Sequence, residues 1–481
     1  FGARPPKGQE MDDHYFGSIK HRVMKYMREL DEELWKLGVM AKTEHNEVAP
    51  AQHELATYYT ETNIATDHNQ LVMELMKSIA SKHDLACLLH EKPFAGINGS
   101  GKHINWSIST DSGINLLEPG DTPFENAMFL LFLVAVIKAV DDYQDLLRVS
   151  VASAGNDHRL GANEAPPAIV SIFLGEELTE ILNALENGTL YNGKGRTQME
   201  IGATVLPHFP KDTTDRNRTS PFAYTGNKFE FRMPGSAFSI AGPIIVLNTA
   251  VAEVLRQFAD ELEKSTDFKS DLSRLIKKTI KEHKRIIFNG NGYDQSWVKE
   301  AEKRGLSNLK TTPEALPAFI HPKSVELFSR HSVFTGHEIH SRYDILLENY
   351  SKTINIEALT MIDMVKKHVI PAVFSYESEL AQLIIRKKTI GTDIATSPEE
   401  GLLKKIANLS QCLEKRLEYL SEQTIAVRKI NGNLEFARAY REMVFMAMSE
   451  VRIVVDELET IIGSKHWIIP TYAEILNSVN G

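Results

Sequence analysis

Cysteine is nearly absent from this 481-residue sequence: only Cys87 and Cys412 occur. Two cysteines make no disulfide framework, so a reducing, cytoplasmic setting is the expectation. Long apolar runs are missing too. The longest, Ala127 to Ile137, falls well short of the roughly 20 residues a membrane-spanning helix needs, and reads as a buried core helix. No secretory signal is recognisable. Nor is there an excess of basic charge: the net charge is -10 and the pI about 6.0. A nucleic-acid binder needs a basic face to meet phosphates, and an anionic membrane surface would repel this chain. Neither is an expected partner. Internal repeats and low-complexity tracts are absent as well.

What is present suits a large soluble globular protein. Hydrophobic residues make up 42% and charged residues 25%, enough core for two to four domain-sized units. The chain opens at Phe1 without a Met, in a polar stretch bearing Pro and Gly through Gln9, so a longer parent polypeptide is expected. Ile19, Val23, Met27, Leu30 and Leu34 predict an amphipathic helix over 16–37. Residues 40–60 predict two strands around a turn at Pro50-Ala51. Residues 67–86 and 123–145 predict helices. Strands are predicted at Leu85–Leu89 and His103–Ser109, around a glycine-rich loop at Gly96–Gly101. From about residue 237 the pattern is mostly helical. Ile406, Leu409, Leu413, Leu417 and Leu420 form one stripe. Val444, Met448, Val451, Val455, Leu458 and Ile462 form another, and together they predict a helical hairpin over 400–463 with a coiled-coil-like seam.

Chemistry concentrates upstream. In Glu44-His45-Asn46-Glu47-Val48-Ala49-Pro50-Ala51-Gln52-His53-Glu54, a turn at Pro50-Ala51 would set Glu47 directly across from Glu54. Like charges facing across a ladder are destabilising unless a cation lies between them, and two carboxylates fit a hard divalent ion. The alternative is a pair of solvated glutamates on an edge hairpin. In Lys92-Pro93-Phe94-Ala95-Gly96-Ile97-Asn98-Gly99-Ser100-Gly101-Lys102-His103, Gly99 and Gly101 let the backbone approach an anion closely. His103, Asn105 and Ser107 then alternate onto one strand face. Glu230 and Arg232, two apart on a further strand, share a face where a carboxylate could take a metal and a guanidinium a phosphoryl group. Arg218 lies in a polar loop and could act on developing phosphate charge. Each of these alone could equally be a surface ion pair.

The whole string from Lys92 to Ser107 resembles the ATP-binding signature of glutamine synthetases: Lys-Pro, an apolar residue, a spacer, Asn-Gly-Ser-Gly, any residue, His, three residues, Ser. The Glu47–Glu54 segment is similar to that family's metal-binding hairpin. Asn156-Asp157-His158-Arg159-Leu160-Gly161-Ala162-Asn163-Glu164 resembles its substrate arginine and flap glutamate. Asn217-Arg218-Thr219-Ser220 and Lys228-Phe229-Glu230-Phe231-Arg232 resemble its phosphate-clamping arginine and Glu-x-Arg strand. The motifs run in the family's order from 44 to 232. The family's opening Glu-x-Glu strand has no match in residues 1–40. Asn105 stands where bacterial enzymes carry a second histidine, and Ala223 where they carry a second arginine, a charge that Lys228 would supply. The long interval between Glu164 and Arg218, with the helical C-terminus, suggests the long type III form.

The resemblance implies an α+β fold: a curved antiparallel sheet backed by helices, as in the glutamine synthetase and guanido kinase catalytic domains, plus a helical C-terminal region. A catalytic domain over 1–320, with an insertion near 175–215, and a helical region over 321–481 are expected. The implied activity is ATP-dependent ligation of ammonia to L-glutamate through γ-glutamyl phosphate. Glu47 and Glu54 would hold one divalent ion, Mg or Mn, and His103 and Glu230 a second. Arg159, Asn98 and Gly99 would bind glutamate. Lys92, Asn105, Ser107 and Lys228 would face ATP. Arg218 and Arg232 would stabilise the phosphoryl group, and Glu164 would close the site and take a proton from ammonium. Homo-oligomeric assembly in hexameric rings, as a dodecamer, is the family expectation. Two alternatives stay open: a ligase that couples glutamate to an organic amine, and a non-catalytic relative. Other motifs read as scaffold. Thr335 and Glu338 form a capping box at a helix start, Asn192–Thr197 and Asn289–Gly292 are turns, and His83 is a satisfied polar residue on a helix.

Overall fold

Apolar stripes decide where the helices lie. The computed structural model describes residues 15–49, 51–94, 96–161, 165–189, 191, 198–199, 209–210, 219–470 and 474–475. Helix α1 (His21–Lys36) buries Val23, Met27, Leu30 and Leu34 on one face. The hairpin β1 (Ala41–Asn46) and β2 (His53–Thr57) follows, then α2 (Thr62–Lys82). Leu30, Leu34, Val39, Val72 and Ile79 join these pieces in a small core of their own.

The main sheet has four short strands: β3 (Ile104–Trp106), β4 (Ile172–Phe173), β5 (Phe222–Tyr224) and β6 (Phe229–Phe231). Their spatial order is β3-β6-β5-β4, antiparallel except for the β4–β5 pair. The period of two divides the residues cleanly. Ile104, Phe231, Phe222 and Ile172 form one buried row, and Asn105, Glu230, Ala223 and Phe173 the next. Beneath lies α3 (Ala127–Asp142), apolar on nearly every side and therefore buried. The Asn126 side chain caps it by accepting the Phe129 N–H at 3.0 Å. It packs against α5 (Ala241–Leu262) and α6 (Phe268–His283). A short α4 (Ala154–Arg159) sits between α3 and β4 in sequence and carries Arg159.

The C-terminal region is built from α7 (Gly336–Met364), α8 (Ile370–Ile390), α9 (Ser397–Ala426), α10 (Asn433–Ala439) and α11 (Met446–Glu459). Ile406, Leu413, Leu417 and Leu420 of α9 are buried, as are Met448, Val451 and Leu458 of α11. These two helices pack together, as their stripes predict. A π-helical segment, Tyr440–Phe445, joins α10 to α11, and heptad spacing gives no sign of it.

Two local expectations are corrected. Residues 85–90 form no strand; Leu85 packs against Val23 and Met27 of α1 instead of joining a ladder. The expected strand at 103–109 contracts to Ile104–Trp106, because Ser107 leaves the ladder to bond the Asn115 side chain and the Asn227 carbonyl, at 2.7 and 3.1 Å. The Thr335–Glu338 capping box forms as predicted, and His83 meets Glu29 at 2.8 Å. Asn289 ties a loop down by accepting the Leu174 and Gly175 N–H groups. Asn192–Thr197 and most of the 175–215 insertion lie outside the described residues.

Candidate active site

The hairpin brings acids together, in a different register from the one expected. Glu54 pairs with His45 across the ladder, and Asn46 with His53. Glu47 lies past the strand end, where its N–H donates to the Gln52 carbonyl at 2.8 Å. Glu47 and Glu54 are therefore diagonal neighbours, and direct opposition is corrected. The cluster gains a member the sequence reading missed. His45 Nε2 lies 2.8 Å from Glu47 Oε1 and 3.2 Å from Glu54 Oε2. One ligand atom from each of the three lies within 4.8 Å of the others. Burial, then the neighbouring Glu54, pushes the Glu47 carboxyl up to about 7. The Glu44-His45-Asn46-Glu47 spacing held the signal: residues two apart share a face.

On the sheet, His103, Asn105 and Ser107 are exposed while Ile104 and Trp106 are buried, as alternation predicts. Asn105 pairs with Glu230, and Glu230 with Ala223 on its other side. His103 Nδ1 lies 2.9 Å from Glu230 Oε1, and Arg232 donates to Glu230 Oε2 at 2.8 Å. Burial pushes the Glu230 carboxyl up, but the His103 contact and the Arg232 charge outweigh it and hold it at about 2. Glu230 is thus held as an anion by its two neighbours. Lys228 belongs to the turn entering β6, where its carbonyl accepts the Thr225 N–H at 2.8 Å. Asn227 beside it accepts from Ser107 at 3.1 Å, so Ser107 and Lys228 lie at one end of the sheet, while Asn105 sits at mid-strand beside Glu230.

The glycine-rich loop lies between these two clusters. Gln52 Nε2 donates to the Gly99 carbonyl at 3.1 Å, tying the hairpin to the loop. Lys92 Nζ donates to the Ile97 carbonyl and closes the loop on itself; burial and then Arg159 lower its pKa. Asn98 is half-buried. Arg159 is 4% exposed and lies beneath the loop. It donates to Asn156 Oδ1 and to the carbonyls of Arg232, Met233 and Pro234, at 3.1 to 3.3 Å. Burial lowers its pKa to about 10. A Cβ at Gly101 would lie 2.0 Å from the Arg159 guanidinium, so the loop needs glycine there to cover it. The structure gives Arg159 main-chain acceptors in place of an open face. Glu164 and Arg218 lie outside the described residues.

A second acid and histidine cluster, Asp141, Asp142 and His283, sits where α3 meets α6. Arg285 pairs with Asp141 at 2.8 Å and Lys138 with Asp142 at 2.7 Å. Two cations already balance two anions there, so it reads as an ion-pair joint between helices. Among the described residues no Lys or Arg pairs with His45, Glu47 or Glu54, and this donor set suits a hard divalent ion.

Two family models match the chain. Residues 5–170 match the glutamine synthetase catalytic domain, and 271–388 the glutamine synthetase C-terminal domain. The chain is 51% identical over 490 residues to a glutamine synthetase of Butyrivibrio fibrisolvens, covering 99% of this chain and 68% of that protein. It is 46% identical over 485 residues to the type-3 glutamine synthetase of Dictyostelium discoideum, covering 99% and 66%. A glutamine synthetase of Bacteroides fragilis is 42% identical over 487 residues, covering 99% and 67%. Among solved structures, "Apo GmaS without ligand" superposes with a TM-score of 0.44 at 16% identity, over 69% of this chain and 60% of that one; the assignment rests on the sequence matches. The class is therefore a ligase. The chain belongs to the glutamine synthetase family, the glutamate–ammonia ligases, and its type-3 relative matches the long form the sequence suggested. It spans about two thirds of the length of these relatives.

Proposed function

We propose that the complete protein joins ammonia to L-glutamate with ATP. The γ-carboxylate of glutamate attacks the γ-phosphorus and ADP departs. Ammonia then attacks the acyl carbon of γ-glutamyl phosphate, and inorganic phosphate departs. Such chemistry asks for charge placed around phosphates and for exclusion of water from an acyl phosphate. The observation that carries this reading is the joining of the His45–Glu47–Glu54 cluster, through Gln52, to the loop that leads into His103 and Glu230.

Glu47 and Glu54, with His45, fit one Mg or Mn ion, and His103 with Glu230 a second. Bound there, such ions would neutralise phosphate charge. Arg232, fixed by Glu230, would face the transferring phosphoryl group, and Arg218 would share that role. Asn105, Ser107, Lys92 and Lys228 would hold the nucleotide. Asn98 and Gly99 would seat glutamate, with Arg159 supplying charge from below. Glu164 would accept the ammonium proton. Residues 1–320 would form the catalytic unit and 321–481 the helical one. Assembly in hexameric rings, as a dodecamer, in the cytoplasm fits the family; no described helix is long and apolar enough to cross a membrane.

Phosphate release from ATP by the complete protein tests the reading. Release that requires both glutamate and ammonium is expected. Release only with an organic amine as acceptor would move the protein to the amine ligases. No release with any acceptor, with Mg or Mn present, would favour a non-catalytic relative.

A further inference from the structure

Glu91 precedes the glycine-rich loop and is assigned no role above. It is 4% exposed, and three chain segments close around it. The Ala237 N–H donates to its Oε1 at 3.0 Å, and its own carbonyl accepts the Ser100 N–H at 2.8 Å. A Cβ at Gly99 would lie 2.5 Å from that carbonyl. A Cβ at Gly155 would lie 2.4 Å from Glu91 Oε2, and one at Gly235 2.5 Å from Cγ and Oε1. Real Cβ atoms do not come so near, so glycine stands at each position because Glu91 fills the place.

A buried carboxylate is costly unless it is paired. The buried Arg159 and the part-buried Lys102 lie near enough for Glu91 to favour the charged form of both. Each cation in turn grips the same downstream segment. Arg159 donates to the carbonyls of 232, 233 and 234. Lys102 Nζ donates to the Ser236 carbonyl and, at 2.7 Å, to that of Phe238. Arg159 and Lys102 thus hold the segment after β6 near the glycine loop, and Glu91 joins the same two pieces through the Ser100 and Ala237 N–H groups.

We propose that Glu91 is a positioning residue for the ligation: its carboxylate sets the loop that presents Asn98 and Gly99 against the segment that follows Arg232. Glu91 itself contacts no reactant. This rests on the ligase reading above.

The complete protein is compared with Glu91→Gln, Glu91→Asp, Glu91→Ala, Gly235→Ala and the Glu91→Ala/Gly235→Ala double variant. Gln keeps the shape and the acceptor for Ala237 but removes the charge. A misplacement of about an ångström can cost on the order of 100-fold in rate, so a loss of roughly 10- to 100-fold in kcat/KM is expected, carried mainly by the KM for glutamate, with Tm close to that of the parent. Glu91→Asp restores part of it. Gly235→Ala gives a similar rise in KM alone but adds little in a Glu91→Ala background, because the clash partner is gone. Amide exchange over 96–102 quickens in Glu91→Gln and needs no turnover to be read. A lowered Tm with unchanged KM and exchange, or fully additive effects of Gly235→Ala and Glu91→Ala, overturns the inference. An unaltered protein that releases no phosphate overturns the ligase reading instead, and exchange still decides whether Glu91 holds the loop.

Discussion

Around the glycine loop, Arg159, Lys102 and Gln52 hold backbone carbonyls through directed hydrogen bonds. Between α9 and α11, Leu413, Leu417, Leu420, Val451 and Leu458 hold two helices together mainly by apolar burial, with exposed ion pairs only at the rim. The first region keeps like charges close, raising the Glu47 carboxyl, and so gives up stability where cations are wanted. The second gives up nothing and does no chemistry. Damage should therefore appear as lost turnover in one region and as lost stability in the other.

The largest expected effect tests that division. Glu47→Ala or His103→Ala should lower kcat on the order of 1000-fold, as loss of charge stabilisation does elsewhere, while metal-free Glu47→Ala melts no lower than the parent. A collapse of Tm alongside activity would break the comparison. Leu420→Ala, at a fully buried position, should cost about 3 kcal/mol by chemical denaturation and leave the KM for glutamate unchanged.

Glu253 refines the contrast, being a buried ion hub far from the proposed chemistry. It accepts from Arg256, Gln257, Arg330 and His331. Burial pushes its carboxyl up, but these partners outweigh it and hold it well below the usual 4.5. A depressed carboxylate contributes stability above its ordinary pKa and loses it as pH falls. Glu253→Gln should thus cost about 2 kcal/mol at neutral pH, and the gap should close on acidification below about 4.5, where urea titrations at several pH values would show it. The smallest effect is expected at the exposed Lys405–Glu457 pair between α9 and α11. Lys405→Ala should change stability by less than about 0.5 kcal/mol.

Regular periodicity was the most legible part of the chain. α1, α2, α3 and the C-terminal hairpin fall near their predicted places because each buries one stripe or is apolar throughout. The alternation of His103, Asn105 and Ser107 was legible for the same reason. Register was not. A hairpin turn can be read to within a residue or two, and two residues decide whether Glu54 faces Glu47 or His45. The π-helix at 440–445 was hidden because the apolar stripe that could be read begins only at Val444, near its end. The strand predicted at 85–89 failed because a strand needs a neighbour, and that is not a local property. Glu91 and the placing of Arg159 were illegible because they depend on segments more than 60 residues apart meeting over glycines.

Gln52 spans two of those segments, its amide oxygen taking the Ala49 N–H at 3.2 Å and its nitrogen reaching the Gly99 carbonyl. One flat, rigid group is thus shared between the turn that spaces the acids and the loop proposed to seat glutamate. Tilting the turn must swing the loop. Occupancy by a cation at one end and by an amino acid at the other would then be thermodynamically linked, each raising the affinity for its counterpart by the same factor. Paired binding titrations would find that factor fall toward one in Gln52→Leu.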